Sequence, residues 1–210
     1  MSRSPRAVAN YALPGALPCA LLLAGLLALT GCAPATPPAP FNATEVEGID
    51  YGLSVSIPDT TGQARQLKEF NGRVALVFFG FVSCPDVCPT TLFRLREVRD
   101  ALGEDAESLQ VILVTVDPER DTADRLQAYV QNFDPSFLGL RPEPDDLPQI
   151  IEEFRAIAVK VPTADGSYTV DHSATLYIYD RQSRLRLIAQ PTLEVSALAA
   201  DIQRLILEDG

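Results

Sequence analysis

The chain has 210 residues and a formal net charge of −11, with no acid before Glu45 and only two lysines. So acidic a body argues against nucleic acid as a partner, because phosphate binding needs clustered Lys and Arg. The length suffices for one domain of ordinary size whose core needs no staples.

Residues 1–32 read as a targeting segment. Arg3 and Arg6 form a short positive start, "ALPCALLLAGLLALT" is an apolar run, and "LTGC" ends it. A cysteine directly after Leu-Thr-Gly resembles the bacterial lipoprotein signal, in which that cysteine receives a lipid and becomes the new N-terminus. The alternative is an uncleaved membrane anchor; the segment is barely long enough for one, and Pro14 and Pro18 interrupt it. Either way the body is expected outside the cytoplasm, on the periplasmic side, tethered to a membrane. Cys19 then leaves with the leader, Cys32 carries the lipid, and Cys84 and Cys88 are the remaining thiols. In an oxidising compartment such a pair forms a disulfide by default.

Residues 33–48 are rich in Pro and Ala without periodicity and read as an extended linker. The body, residues 49–210, opens with "YGLSVSIPD", which alternates as a strand does, then "DTTG", a turn before "QARQLKEF". "RVALVFFGFV", 73–82, is a continuous apolar run, as expected of a central strand covered on both faces. From Pro89 to about Gly103 the pattern is helical, with Leu92, Leu95, Val98 and Leu102 in a stripe opposite Arg94, Arg96 and Arg99. "LQVILVTVD", 109–117, is a second buried strand, and "TADRLQAYVQNF" a helix with Thr122 at its cap. "FLGLR" is a short strand or turn, and "DDLPQIIEEFRAI" a helix with Pro148 in or near its first turn. "AVKVP" and "YTV" flank the turn "TADG". "ATLYIYD" and "LRLIAQ" form a hairpin across "RQS", and "EVSALAADIQRLILED" is a closing helix. The order predicts one α/β domain with a mixed central sheet flanked by helices. A cysteine pair between the first buried strand and the next helix is where a thioredoxin-like fold carries its redox motif.

"FVSCPDVCPTTL", 81–92, holds that pair. A helix running through it would set the Pro89 ring against the carbonyl of Pro85. Pro89 is therefore expected at the first helical position with Cys88 at the cap. The cysteines then lie in a turn before a helix N-terminus, which stabilises thiolates, and each is expected near the surface, where a partner's thiols reach. General thiol oxidoreductases usually carry two residues between their cysteines; this chain carries three. Two sulfurs on one metal ion are not bonded to each other, whereas a disulfide holds them at about 2.05 Å. The longer loop suits the first case and still permits the second. His172 is the sole histidine, in a loop where thioredoxins place a proline. Two thiolates and an imidazole suit a soft or borderline ion, copper above all.

Three separated stretches, "FFGFVSCPDVCPTTL", "VTVDPERDT" and "YTVDHSATLYIYD", resemble the signature stretches of the Sco/SenC family, in the family's order. That family consists of membrane-anchored, thioredoxin-fold copper proteins that help assemble the dinuclear copper site of cytochrome c oxidase. The resemblance covers about residues 49–205. It implies Cys84, Cys88 and His172 as ligands of Cu(I) or Cu(II), and Asp117 as the family's acidic residue near the site. Asp117 equally suits a cap for the turn at Pro118. Phe81 is placed to border the site, Asp86 to solvate its loop, and Asp171 either to hydrogen-bond His172 or to point away. The implied partners are the oxidase subunit with the dinuclear copper site, other periplasmic copper chaperones and thiol reductases. Two other functions use the same thiols: a thiol-disulfide oxidoreductase that keeps a target's cysteines reduced, and a redox sensor. The oxidoreductase needs only Cys84 and Cys88, whereas the chaperone also needs His172.

Overall fold

The computed structural model describes residues 39–46 and 48–208. The targeting segment, Cys32 and linker residues 33–38 lie outside them; the rest of the expected linker is not an extended tether, since Phe41 is buried and Thr44–Glu45 joins the main sheet. Among the described residues there are ten strands: β1 (Thr44–Glu45), β2 (Ile57–Pro58), β3 (Ala64–Arg65), β4 (Val74–Gly80), β5 (Leu109–Thr115), β6 (Leu138–Leu140), β7 (Ala158–Pro162), β8 (Tyr168–His172), β9 (Leu176–Tyr179) and β10 (Leu185–Ala189). The helices are α1 (Val87–Leu102), α2 (Ala123–Phe133), α3 (Leu147–Glu153) and α4 (Val195–Leu207). None of the described helices is long and apolar enough to cross a membrane.

Six strands form one mixed sheet in the order β1-β10-β9-β4-β5-β6. β4, β5 and β6 run parallel, while β9, β10 and β1 continue antiparallel from the other edge of β4. Every residue of β4 and β5 is buried, as their unbroken apolar runs require of strands covered on both faces. On one face Cys88 of α1 meets Gly80, and α1 packs against α4. On the other, Phe79, Phe154 and Tyr177 meet edge to face, with ring centroids 5.0 to 6.1 Å apart. The α/β, thioredoxin-like class expected from the element order is the one observed.

Three local expectations are corrected. "YGLSVSIPD" forms a strand only at Ile57–Pro58; residues 51–54 are turns. Gly52 adopts φ +71°, and the Phe154 ring fills the space that a side chain there would need, so alternation gives way to a tight crossing. Arg99, expected on the exposed face of its helix, is buried. Its guanidinium donates to the carbonyls of Ala106 and Leu109, 2.6 and 2.8 Å away, and faces Glu107 and Asp134. A buried cation is tolerated because those acceptors replace water. Finally, His172, expected in a loop, ends strand β8, which pairs with β7 and not with the main sheet. That separates His172, the last residue of β8, from the framework that carries the cysteines.

Candidate metal centre

The cysteine turn is pegged at both ends. Leaving β4, Gly80 accepts from Val116 N–H at 2.8 Å, and Val82 N–H donates to Asp121 Oδ2 at 3.0 Å. Cys84 N–H then closes a turn on the Phe81 carbonyl, 3.2 Å away. The helix starts earlier than the prolines suggest, with Asp86 as N-cap and Cys88 inside the first turn. Pro89 is tolerated because the first four helical N–H groups have no intrahelical partner, and Pro85, the residue its ring faces, lies before the helix. The Asp86 side chain makes no cap bond; Cys84 Sγ takes the Cys88 N–H instead, at 3.4 Å. A backbone donor at a helix N-terminus thus points at a sulfur, which favours the thiolate.

Early helix entry also buries Cys88 completely, while Cys84 is half-buried. This corrects the expectation that both thiols are within a partner's reach: only Cys84 is. The Cys88 sulfur occupies the space left by Gly80, where an added Cβ would stand 2.9 Å from it. The two thiols are not bonded to each other. They share one proton unequally. Hydrogen bonding from Cys88 pushes Cys84 down to about 4, against the cost of partial burial. The same contact, followed by burial, pushes Cys88 upward. At neutral pH the pair is a thiolate at Cys84 and a thiol at Cys88.

The ligand atoms of Cys84, Cys88 and His172 all lie within 4.8 Å of one another. His172 Nε2 is 3.5 Å from Cys88 Sγ. Its Nδ1 is 3.0 Å from the Ser173 carbonyl, an acceptor only, so Nδ1 carries the proton and Nε2 turns toward the sulfurs. Burial disfavours the imidazolium, but bonding to the Cys84 thiolate and the Ser173 carbonyl outweighs it and raises the pKa of His172. Phe81 does border the site: its buried ring meets His172 edge to face at 5.7 Å. A cleft of about 240 Å³ opens over Cys84 and His172, between Pro85 and Val87 on one side and Thr169 and Asp171 on the other.

The acids divide differently. Asp171 is exposed and acts on His172 only as a nearby charge. Asp117 is fully buried, but its carboxylate accepts from Arg120 and from the Tyr168 hydroxyl, the latter at 2.8 Å, rather than touching a sulfur or the imidazole. Asp121, which sequence reasoning passed over, is closer in effect. It is fully buried, takes Val82 N–H and the Thr115 hydroxyl on Oδ2, and leaves Oδ1 without a hydrogen-bond partner. Burial raises its pKa, and its charge opposes ionisation of Cys88. A second aspartate in "VTVDPERDT", just ahead of the Thr122 cap, was the available signal.

Two thiols and an imidazole so placed offer three soft-to-borderline donors to one ion. The SCO1/SenC family model matches residues 45–207. The chain belongs to the SCO1/SenC family. One relative, the SCO2-like protein RP587 of Rickettsia prowazekii, is 31% identical over 146 residues, covering 69% of this chain and 71% of that protein. ScoI of Bradyrhizobium japonicum, solved with copper bound, is 41% identical with a TM-score of 0.66, over 71% of this chain and 96% of that one. Apo Sco1 of Thermus thermophilus is 34% identical with a TM-score of 0.71, over 81% and 99% of the two chains. The SCO1/SenC match therefore spans the sheet, the cysteine turn and the histidine hairpin together.

Proposed function

We propose that this SCO1/SenC protein binds copper through Cys84, Cys88 and His172, and that it delivers copper to the dinuclear copper site of cytochrome c oxidase. The observation that carries this reading is the convergence of three soft-to-borderline donor atoms within 4.8 Å of one another, with the imidazole tautomer already fixed for coordination through Nε2. Copper bound in the Bradyrhizobium relative supports the choice of ion. The resemblance of the three motif stretches supports the target. Copper is cargo here: the thiolates hold it, and the opening beside Cys84 is where a recipient's thiolates approach. A lipid on Cys32, if the leader acts as its motif implies, keeps the domain at the membrane that holds the oxidase.

A second reading rests on the inequality of the thiols. Cys84 is a half-exposed thiolate and Cys88 a buried thiol, the division expected of an attacking and a resolving cysteine. Cys84 would attack a target disulfide, forming a mixed disulfide and releasing the target's first cysteine as a thiolate able to take up the Cys88 proton. Cys88 would then lose its proton and attack Cys84 Sγ, releasing the target's second thiolate and leaving Cys84–Cys88 oxidised. The two activities are compatible, because copper binds only the reduced pair: oxidation removes two of three donors at once.

Anaerobic copper titration of the full chain in each redox state separates the readings. Tight binding by the dithiol alone, weakened in His172→Ala with the Cys84–Cys88 disulfide still able to form, is the expected result. Equal binding by wild type and His172→Ala would leave His172 structural and favour thiol exchange. An N-terminal acylated cysteine in mass spectra of membrane-extracted protein checks Cys32, and an intact Met1 would refute it.

A further inference from the structure

His172 is carried by a hairpin with little hydrophobic anchorage. Among the described residues β7 and β8 pair only with each other, and Val170 is the hairpin's one buried apolar side chain. Tyr168, Val170 and His172 alternate along β8 and so share the face turned to the body. The polar ties on that face converge on Tyr168. Arg120 Nη1 donates to the Tyr168 carbonyl at 2.8 Å, and its guanidinium lies 3.8 Å from the centroid of the Tyr168 ring. The Tyr168 hydroxyl donates to Asp117 Oδ1, and Arg120 Nε donates to the other carboxylate oxygen. This triangle stands on a rigid base. Asp117 N–H is held by Thr115 Oγ1 at 3.0 Å, and its carbonyl accepts from the N–H groups of Arg120 and Asp121 at 3.1 and 2.9 Å. The Arg120 guanidinium also lies 6.0 Å from the Phe81 ring, which itself packs on His172.

We propose that Asp117, Arg120 and Tyr168 form a clamp that positions His172, setting the tilt of the β7–β8 hairpin and with it the placement of Nε2 over the two sulfurs. None of the three touches a donor atom, so they act through the hairpin. The inference rests on His172 being a copper ligand. It adds that the third donor is engaged or released by a device separate from the thiols. A cation held against both an aromatic ring and a carboxylate gives such a device definite geometry, where a two-stranded ribbon alone has little.

The test uses the full chain with Tyr168→Phe, which removes only the hydroxyl, and Arg120→Met, which removes the guanidinium and keeps the stem. Val159→Ser is the control; Val159 is exposed on the same hairpin, pairs with Asp171 on the face turned away from Tyr168, and takes no part in the clamp. Because His172 is the only histidine, its Cε1–H gives a single proton resonance. Both clamp variants should shift or broaden that resonance in the metal-free dithiol and raise hydrogen exchange over residues 158–172. They should weaken copper binding about tenfold, the low end of what losing an outer support costs a metal site. Exchange over Val74–Gly80 and the alkylation rate of Cys84 should stay as in wild type, and Val159→Ser should change none of these. An unmoved His172 resonance in both variants would overturn the proposal, as would a mobile hairpin with unchanged copper affinity. If wild type itself takes up no copper, the metal reading fails, and the resonance and exchange still decide whether the clamp sets the histidine.

Discussion

On one side of the cleft, Gly80 and Cys88 sit within β4 and α1, where every residue of the strand is shielded from water. On the other, β7 and β8 bury a single apolar side chain, and His172 depends on polar contacts and the edges of two neighbouring rings, Phe78 and Phe81. The thiols are therefore fixed by close packing, which tolerates displacement poorly. The histidine is fixed by a few contacts at the low-stability end of the molecule, from which moving elements are drawn. A site divided in this way holds its two thiols on the rigid part of the fold while leaving the third donor on a part that can shift, which suits the copper transfer proposed above.

The sharpest way to break this comparison is at the residue where the halves meet. Phe81 is buried, closes the turn before Cys84 and packs on His172. Phe81→Ala should cost about 3–5 kcal/mol, the range for emptying a buried aromatic site. Val159→Ser, on the exposed face of the hairpin, should stay within about 0.5 kcal/mol. Urea unfolding measures both. Comparable losses would mean that the hairpin belongs to the same packed unit as the sheet.

A smaller loss is expected at Gly80. A methyl group there would stand 2.9 Å from Cys88 Sγ, 3.0 Å from Leu113 Cδ1 and 3.1 Å from Phe78 Cε1. The neighbours have nowhere to go, so Gly80→Ala should cost about 1–3 kcal/mol by overpacking. It should also displace Cys88, so that in the native dithiol a second sulfur becomes open to alkylation. Full stability with Cys88 still silent would show that the thiol half yields more easily than its burial implies.

Much of this division was legible in the sequence, and the rest was hidden for identifiable reasons. Unbroken apolar runs marked β4 and β5 because burial on both faces leaves no alternative pattern. The cysteine spacing and the lone histidine named the donors. Hairpin membership was not legible: "AVKVP" and "YTV" read the same whether they join the central sheet or stand apart. Cys88 was misplaced because Pro89 is as acceptable at the third helical position as at the first, and one residue of helix phase decides between cap and core. Asp121 and Arg120 were passed over because a turn rich in Asp and Arg normally faces water; only the fold shows Asp121 enclosed and Arg120 reaching across to Tyr168.

The mildest test leaves the fold intact and asks about protons. Cys84 is held near a pKa of about 4, chiefly by the hydrogen bond from Cys88, whereas an ordinary cysteine titrates near 8.5. A group whose pKa is depressed by folding contributes stability that is fully present above its unfolded value and is lost as pH falls through its folded value. The reduced, metal-free protein should therefore lose stability relative to Cys84→Ser as pH drops from about 9 toward 4. His172 acts in the opposite sense, because folding raises its pKa: its contribution is present below 6.5 and lost as pH rises through the folded value. In the interval just above 6.5 the folded chain has released the Cys84 proton but retains the His172 proton, while the unfolded chain has done the reverse. The two effects cancel there, so the difference curve should flatten near neutrality and slope on either side. Alkylation under native conditions should follow the same logic. One thiol should react, at a rate nearly independent of pH between about 5 and 8, and that thiol should be Cys84 by peptide mapping. A rate that instead climbs through pH 8.5 as for a free thiol, or equal labelling of Cys84 and Cys88, would show that the pair does not share its proton unequally and that the thiol half of the site is not held as tightly as its packing indicates.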